Sequence, residues 1–317
     1  MATFQTYQSI GNREDLTDVI YNISPTDTPF MSSVGKTKAT AVYHEWQTDS
    51  LAAAAQNAVV EGADASSLTV TPTVRVGNRC QISSKTVQIA GTQESVDKAG
   101  RKSEKAYQLA KASAELKRDM EKILLDNNAA VTGDASTARE LGSLQAWINT
   151  NASVGATAGA AGSLGTTART SGDDRTFTEA ILKANIKSVY EAGGNPTVLM
   201  TTPTQKQVVS TFAGIAAQRY MAPADKPSTI VGAADVYLSD FGTLSVVPNR
   251  FMTADSDDSG HQAFVLDPEY AAIAYLRPFQ TNELAKTGDS EKTQLLVEYT
   301  LEVKNEAAHG LIADLAE

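Results

Sequence analysis

The chain has 317 residues, and 27 Lys+Arg against 37 Asp+Glu give it a formal net charge of −10. At 42% hydrophobic it carries enough apolar material for a sizeable core, which excludes global disorder, and its length suits two domains or one with large insertions. One cysteine, Cys80, excludes an internal disulfide and a thiolate metal cluster, and three histidines, at 44, 261 and 309, leave little for a His-rich metal site.

The first forty residues hold Phe4, Tyr7, Ile20, Tyr21 and Phe30 without a periodic stripe. Pro25 and Pro29 forbid a regular helix across Ser24–Phe30, so residues 1–40 are predicted as an extended or turning arm laid along another surface. Ala41–Trp46 and Leu68–Val76 read as strands, and Pro72 demotes the second to an edge strand or bulge. Between them Leu51–Gly62 is small and weakly amphipathic. A long two-stranded projection of this kind is not stable alone in water and implies a neighbouring domain or subunit.

One long helix is predicted next. No glycine occurs between Arg101 and Thr132, and Val96, Ala99, Ala106, Leu109, Ala110, Ser113, Leu116, Met120, Ile123 and Leu124 recur at three-four spacing. Thr92 or Gln93 would open it and Asp126-Asn127-Asn128 close it, with Glu94–Lys98 and Asp97–Arg101 as i,i+4 pairs. Such a helix would be about 45–50 Å long. Asn151–Gly172 then carries hardly any large side chain and reads as a surface loop or insertion marking a boundary.

Thr176–Phe251 reads as a separate α/β lobe. Thr176-Phe-Thr-Glu179 fits a capping box before a helix ended by Gly193-Gly194. Thr197–Thr201 is a short strand, Thr202-Pro203 opens a second helix, and Asp235–Ser239 with Thr243–Val247 forms a hairpin around Asp240-Phe-Gly242. Strands are further expected at His261–Leu266 and Ala271–Leu276, with a pair running from Arg277 to Val303. No internal repeat is visible.

Each motif with chemical content fails on context. Gly35-Lys36-Thr37 ends like a phosphate-binding loop, but the first glycine of that pattern falls on Phe30 and a strand follows. His44-Glu45 begins a zinc motif whose second histidine is Thr48. Asp255–Gly260 imitates a calcium loop, yet position 12 is Leu266 where a bidentate Glu is required. Gly162-Ser163-Leu164-Gly165 is one residue short of a nucleophile elbow, and Cys80 reads as a small buried side chain. No catalytic, cofactor-binding or metal-ligating residue is assigned. No secretion signal and no stretch of roughly 18 apolar residues appears, so no membrane partner is expected. The acidity argues against tight binding to duplex DNA. The charge is uneven: Arg250 to the end holds 5 basic and 13 acidic residues, whereas Gln93–Lys122 holds 8 and 6.

The order of these pieces resembles the major capsid proteins of tailed double-stranded DNA bacteriophages. It is most similar to the subgroup opening with Ser-Pro-x-Asp-x-Pro-Phe, here Ser24–Phe30, followed by His44–Leu51. Further matches are Glu61-Gly62, Asn78–Ile82, Ala90–Thr92, Asp240–Gly242, Val247–Met252 and Val297–Glu306. The resemblance implies an α+β fold with an N-terminal arm (1–40), an extended loop with flanking strands (41–90) and a peripheral domain with spine helix and small-residue loop (91–175). An axial domain (176–265), return strands of the peripheral domain (266–305) and a C-terminal strand of the axial domain (306–317) complete it. It implies a non-enzymatic shell protein without cofactor, building hexamers and pentamers of itself into an icosahedral or prolate capsid. The start at Met1 favours a separate scaffolding partner over cleavage of a scaffolding segment. Portal, decoration protein and weakly held packaged DNA are the other expected partners. An encapsulin-type compartment of the same fold is the alternative reading, and a hydrolase with a dispersed site a remote one.

Overall fold

The computed structural model describes residues 24–65, 67–68, 70–97, 100, 102–212, 235–252 and 261–316. Pro29 opens a one-turn helix, α1 (Pro29–Ser33), at its first position, where a missing N–H costs nothing. Phe30, Met31 and Val34 are buried in the main core, so this part of the predicted arm belongs to the body of its own chain. Strand β1 (Gly35–Lys38) follows. Strands β2 (Tyr43–Thr48) and β3 (Val74–Arg79) pair antiparallel, His44 opposite Asn78. Pro72 lies just outside the paired run, and the second strand is accordingly shorter and later than its alternating pattern suggests.

The expected long helix divides. Strand β4 (Gln81–Ala90) leads into α2 (Gly91–Ser95), and α3 begins only at Glu104, running to Leu125. Val96 is extended and Gly100 takes φ +76°, a left-handed conformation that interrupts a helix. Ser103 Oγ caps α3 by accepting the Ala106 N–H at 3.1 Å. The Glu94 carboxylate accepts the backbone N–H of Glu104 at 3.0 Å. Lys98, Ala99 and Arg101 lie outside the described residues. With 22 residues, α3 is about 33 Å long, shorter than expected.

A four-stranded sheet, order β1-β10-β11-β4, contains β10 (Ala271–Leu284) and β11 (Ser290–Val303). These form one long hairpin rather than the shorter strands anticipated, because β10 continues past Pro278 through two register shifts around Arg277. The shifts bring Arg277 Nε to 2.7 Å from Glu298 Oε2, with Arg139 Nη2 2.7 Å from the other oxygen.

A six-stranded sheet, order β5-β12-β9-β6-β8-β7, comprises β5 (Ala152–Ser153), β6 (Val198–Thr201), β7 (Val236–Ser239), β8 (Gly242–Pro248), β9 (His261–Leu266) and β12 (Gly310–Leu315). Alternation divides its faces. Leu199, Val265 and Ile312 pack with Leu182, Ile186 and Val209 from α5 (Glu179–Glu191) and α6 (Pro203–Val209). Met200, Phe264 and Leu311 face the other way and join Leu116, Met120 and Leu124 of α3 in the main core. The α5 cap is Thr178, whose hydroxyl accepts the Ile181 N–H. Glu179 is therefore the first helical residue rather than the reciprocal arm of a box begun at Thr176; it accepts the Tyr237 hydroxyl instead.

The small-residue stretch is a largely irregular loop with exposed residues such as Thr157 and Leu164, and it also crosses itself and packs against the body. Its chain crosses itself through the bridges Ala160–Thr170 and Ser163–Thr167, and Ala152–Ser153 adds to the edge of β12. A Cβ on Gly172 would fall 2.7 Å from the Gly155 carbonyl oxygen, and one on Gly165 2.6 Å from Trp147 Nε1 of the short helix α4 (Leu144–Trp147). Small side chains here permit backbone-on-backbone packing. The buried Arg169–Asp314 pair, Nη1 to Oδ1 2.7 Å, fastens this loop to β12, and Asp314 Oδ2 accepts the Gly155 N–H.

Candidate assembly surfaces

Among the described residues, those with chemical motifs do not converge. Gly35-Lys36-Thr37 lies in β1, parallel to β10, and Thr37 donates its hydroxyl to Glu302 at 2.6 Å. A strand offers no row of free amides to a phosphate. His44 and Glu45 point to opposite sides of β2: Nε2 of His44 sits 3.3 Å from Glu302 Oε2, whereas Glu45 pairs with Arg75 across the hairpin. Ser163 sits in the small-residue loop, bridged to Thr167 and without a histidine among its bonded partners. Asp255–Gly260 falls outside the described residues. Burial pushes the Cys80 thiol up to about 11, further from the reactive thiolate. Burial also holds the His309 imidazole down to about 4. Among the described residues no three His, Cys, Asp or Glu side chains are grouped to hold a metal. A cavity of about 240 Å³ between α2 and the β10–β11 turn is lined by Lys105 and Lys286, but Glu283 and Glu291 already neutralise both.

What the fold displays instead is apolar surface on protrusions. Beyond β2 and β3, residues 49–73 form no regular structure among those described. Leu51 is 99% exposed, Leu68 86% and Val70 84%, with Val59 and Val60 nearly as open. Scattered exposed aliphatics are ordinary; here five lie within the one stretch 51–70.

The base of this projection is held firmly. Trp46 stacks on Trp147 with ring centroids 5.3 Å apart. Fully buried Asn78 donates to the carbonyls of Gly142 and Leu301, each at 2.9 Å, and accepts the Gly142 N–H. The base thus belongs to the body while the tip stands away from it. A second apolar surface lies at the β7–β8 hairpin, the edge of the six-stranded sheet. Val236 and Leu238 are exposed there, and Phe241 at its turn stacks on Tyr190 of α5 at 4.7 Å. Among the described residues, these exposed apolar groups lie on the stretch beyond β2 and β3 and on the β7–β8 sheet edge.

A family model described as SU10 major capsid protein matches residues 2–316. The chain belongs to that capsid protein family. A relative, the major capsid protein of Escherichia phage Phieco32, is 27% identical over 346 aligned residues, covering 98% of this chain and 96% of its own. In fold the SU10-family chain is similar to the capsid protein of cyanophage A-1(L), with a TM-score of 0.71 at 13% identity and 99% of each chain covered. It is also similar to an encapsulin of Synechococcus elongatus, with a lower TM-score of 0.57 at 9% identity, covering 96% of this chain and 93% of that one.

The protein is thus a structural component of a phage capsid, part of the virion and not an enzyme. The encapsulin alternative shares the fold, but the family match is to phage capsid proteins. No helix among the described residues is long and apolar enough to cross a membrane. Sequence patterning located the projection; it missed Asn78 and Glu121, and the role of Arg169. One signal was available for the last, since Arg169 is the lone charged residue within Asn151–Gly172.

Proposed function

We propose that the protein builds hexameric and pentameric capsomers of itself, with the extended loop within residues 41–90 of one copy covering apolar surface on the next. The observation carrying this reading is the exposed apolar set Leu51, Val59, Val60, Leu68 and Val70 on a projection whose base is rigidly seated. Burying such side chains stabilises by about 25 cal/mol per Å² removed from water, and only a second surface can do it. In this reading the lobe around 176–265, with the strand in 306–317, forms the axial domain around the capsomer centre. Residues 91–175 and 266–305 form the peripheral domain, and residues 1–40 reach neighbouring subunits, with Pro29–Lys38 as their anchor. A separate scaffolding protein and a portal direct closure, and a decoration protein is an optional outer partner. The net charge of −10 keeps packaged DNA from adhering strongly to the wall.

Light scattering with negative-stain microscopy on the purified chain, with and without its co-expressed genomic neighbours, tests the proposal. Closed shells, or capsomers of five or six 33.5 kDa copies, are expected. A stable monomer under every condition would overturn it.

A further inference from the structure

The carboxylate of Glu121, about one turn before the end of α3 at Leu125, is fully buried and joins two segments distant in sequence. Its Oε1 accepts the Phe30 N–H at 2.7 Å and its Oε2 the Met31 N–H at 2.9 Å, both from the first turn of α1. Oε1 also accepts Asn249 Nδ2 at 2.7 Å. Asn249 is itself fully buried, just past the end of β8, where its N–H donates to the Thr201 carbonyl and its Oδ1 accepts the Phe251 N–H. Among the described residues no lysine or arginine pairs with Glu121; the Arg118 guanidinium lies over the Phe251 ring at 5.4 Å. Three neutral N–H groups from two segments are therefore its whole hydrogen-bond complement among the described residues.

That arrangement makes the two segments interdependent. A hydrogen bond to a buried charged group contributes more than a neutral one, and losing a donor leaves part of the charge unsolvated. When α1 is seated, two N–H groups hold the carboxylate where Asn249 can reach it. When Asn249 is in place, the carboxylate is fixed where α1 needs it. We propose that Glu121 couples the seating of the amino-terminal turn to the order of the turn leaving the six-stranded sheet. A second copy or another partner that pulls on the segment before α1 thereby loosens the 249–252 turn, and a partner gripping that lobe alters the hold on α1. Coupling of this kind is reciprocal by thermodynamic necessity. Its use during assembly rests on the capsomer reading above, but the coupling itself is a property of one chain.

The test is residue-resolved amide hydrogen exchange on the full-length chain, comparing variants in the same assembly state. Asn249→Ala is expected to speed exchange of the Phe30 and Met31 amides about tenfold, and Phe30→Leu to speed that of the Phe251 amide to a similar degree. In a Glu121→Met background, which fills the site without a charge, neither substitution should move the distant amides. If Asn249→Ala does not fold, Asn249→Ser, which keeps a donor, should give a smaller change of the same sign. Unchanged Phe30 and Met31 exchange in a folded Asn249 variant would overturn the coupling, as would an equal response in the Glu121→Met background. Light scattering on the same samples reads shell formation separately, so loss of the capsomer reading and loss of the coupling are distinguishable.

Discussion

Trp46 lies against Trp147, ring centroids 5.3 Å apart and planes inclined by 30°, so the base of the projecting hairpin is stacked onto the body of the chain. These are the two tryptophans of the sequence. Trp46→Phe leaves Trp147 as the single reporter, and its emission should stay close to that of a buried indole because the phenyl ring still covers it. Trp46→Ala uncovers Trp147 and should shift its emission to the red while lowering stability by about 1–3 kcal/mol. A fluorescence spectrum with a denaturant titration checks both, and an unshifted spectrum for Trp46→Ala would refute the stacking role.

Leu68 and Val70 touch little of their own chain, at 86% and 84% exposed. Replacing both by Ser should change the stability of the unassembled chain by no more than about 0.5 kcal/mol. Shell yield, counted by negative-stain microscopy, should nevertheless fall sharply. Equal yields from the double variant would remove the projection from the assembly contacts.

Truncation separates the amino-terminal segment from its anchor. A cut through Thr37 removes fully buried Phe30 and most of β1, and losing a buried Phe alone costs about 3–5 kcal/mol. Such a chain is expected to lose its cooperative thermal transition rather than remain as a folded lobe. A cut ending at residue 23 keeps α1, β1 and their contacts with Glu121, and circular dichroism melting should show the transition retained.

Arg169 and Asp314 are both fully buried and 2.7 Å apart. Arg169→Met strands the Asp314 carboxylate and should cost about 3–5 kcal/mol. Asp314 takes φ +56°, which Asn tolerates, so Asp314→Asn isolates the charge effect from backbone strain. The Arg169→Met/Asp314→Asn double variant is expected to lose less than the sum of the single losses. Strict additivity in urea unfolding would mean that the pair is not coupled.

His309 gives a pH dependence of definite sign. Its ring is completely buried and held down to about 4, with the Asp267 N–H directed at Nδ1. The folded chain therefore refuses a proton that the unfolded chain accepts below its ordinary value of 6.5. Stability is present above that value and is lost as pH falls from about 6.5 towards about 4, at about 1.4 kcal/mol per pH unit at most. His309→Gln should flatten this slope in melts recorded across the same interval. An unchanged slope would assign the acid sensitivity to other groups.

The sequence by itself determined the inventory and order of elements. Thr202-Pro203 specified the start of α6, Asp240-Phe-Gly242 the β7–β8 turn, and His261–Leu266 a strand, because caps, turns and local propensity act within a few residues. It also determined that no catalytic motif had its required partners in sequence. Tertiary structure alone decided where the long helical pattern breaks. There Glu94 reaches from α2 to the first amides of α3, a contact across ten residues that no periodicity encodes. It alone made the Asn151–Gly172 loop cross itself and pack on the body, since closeness of backbones is a property of the crossing chains and small side chains merely allow it. And it alone made a buried joint of Glu121, whose three donors come from residues 91, 90 and 128 positions away. A carboxylate one step from Met120 on a helical stripe looks solvent-facing until the segments that donate to it have folded over it.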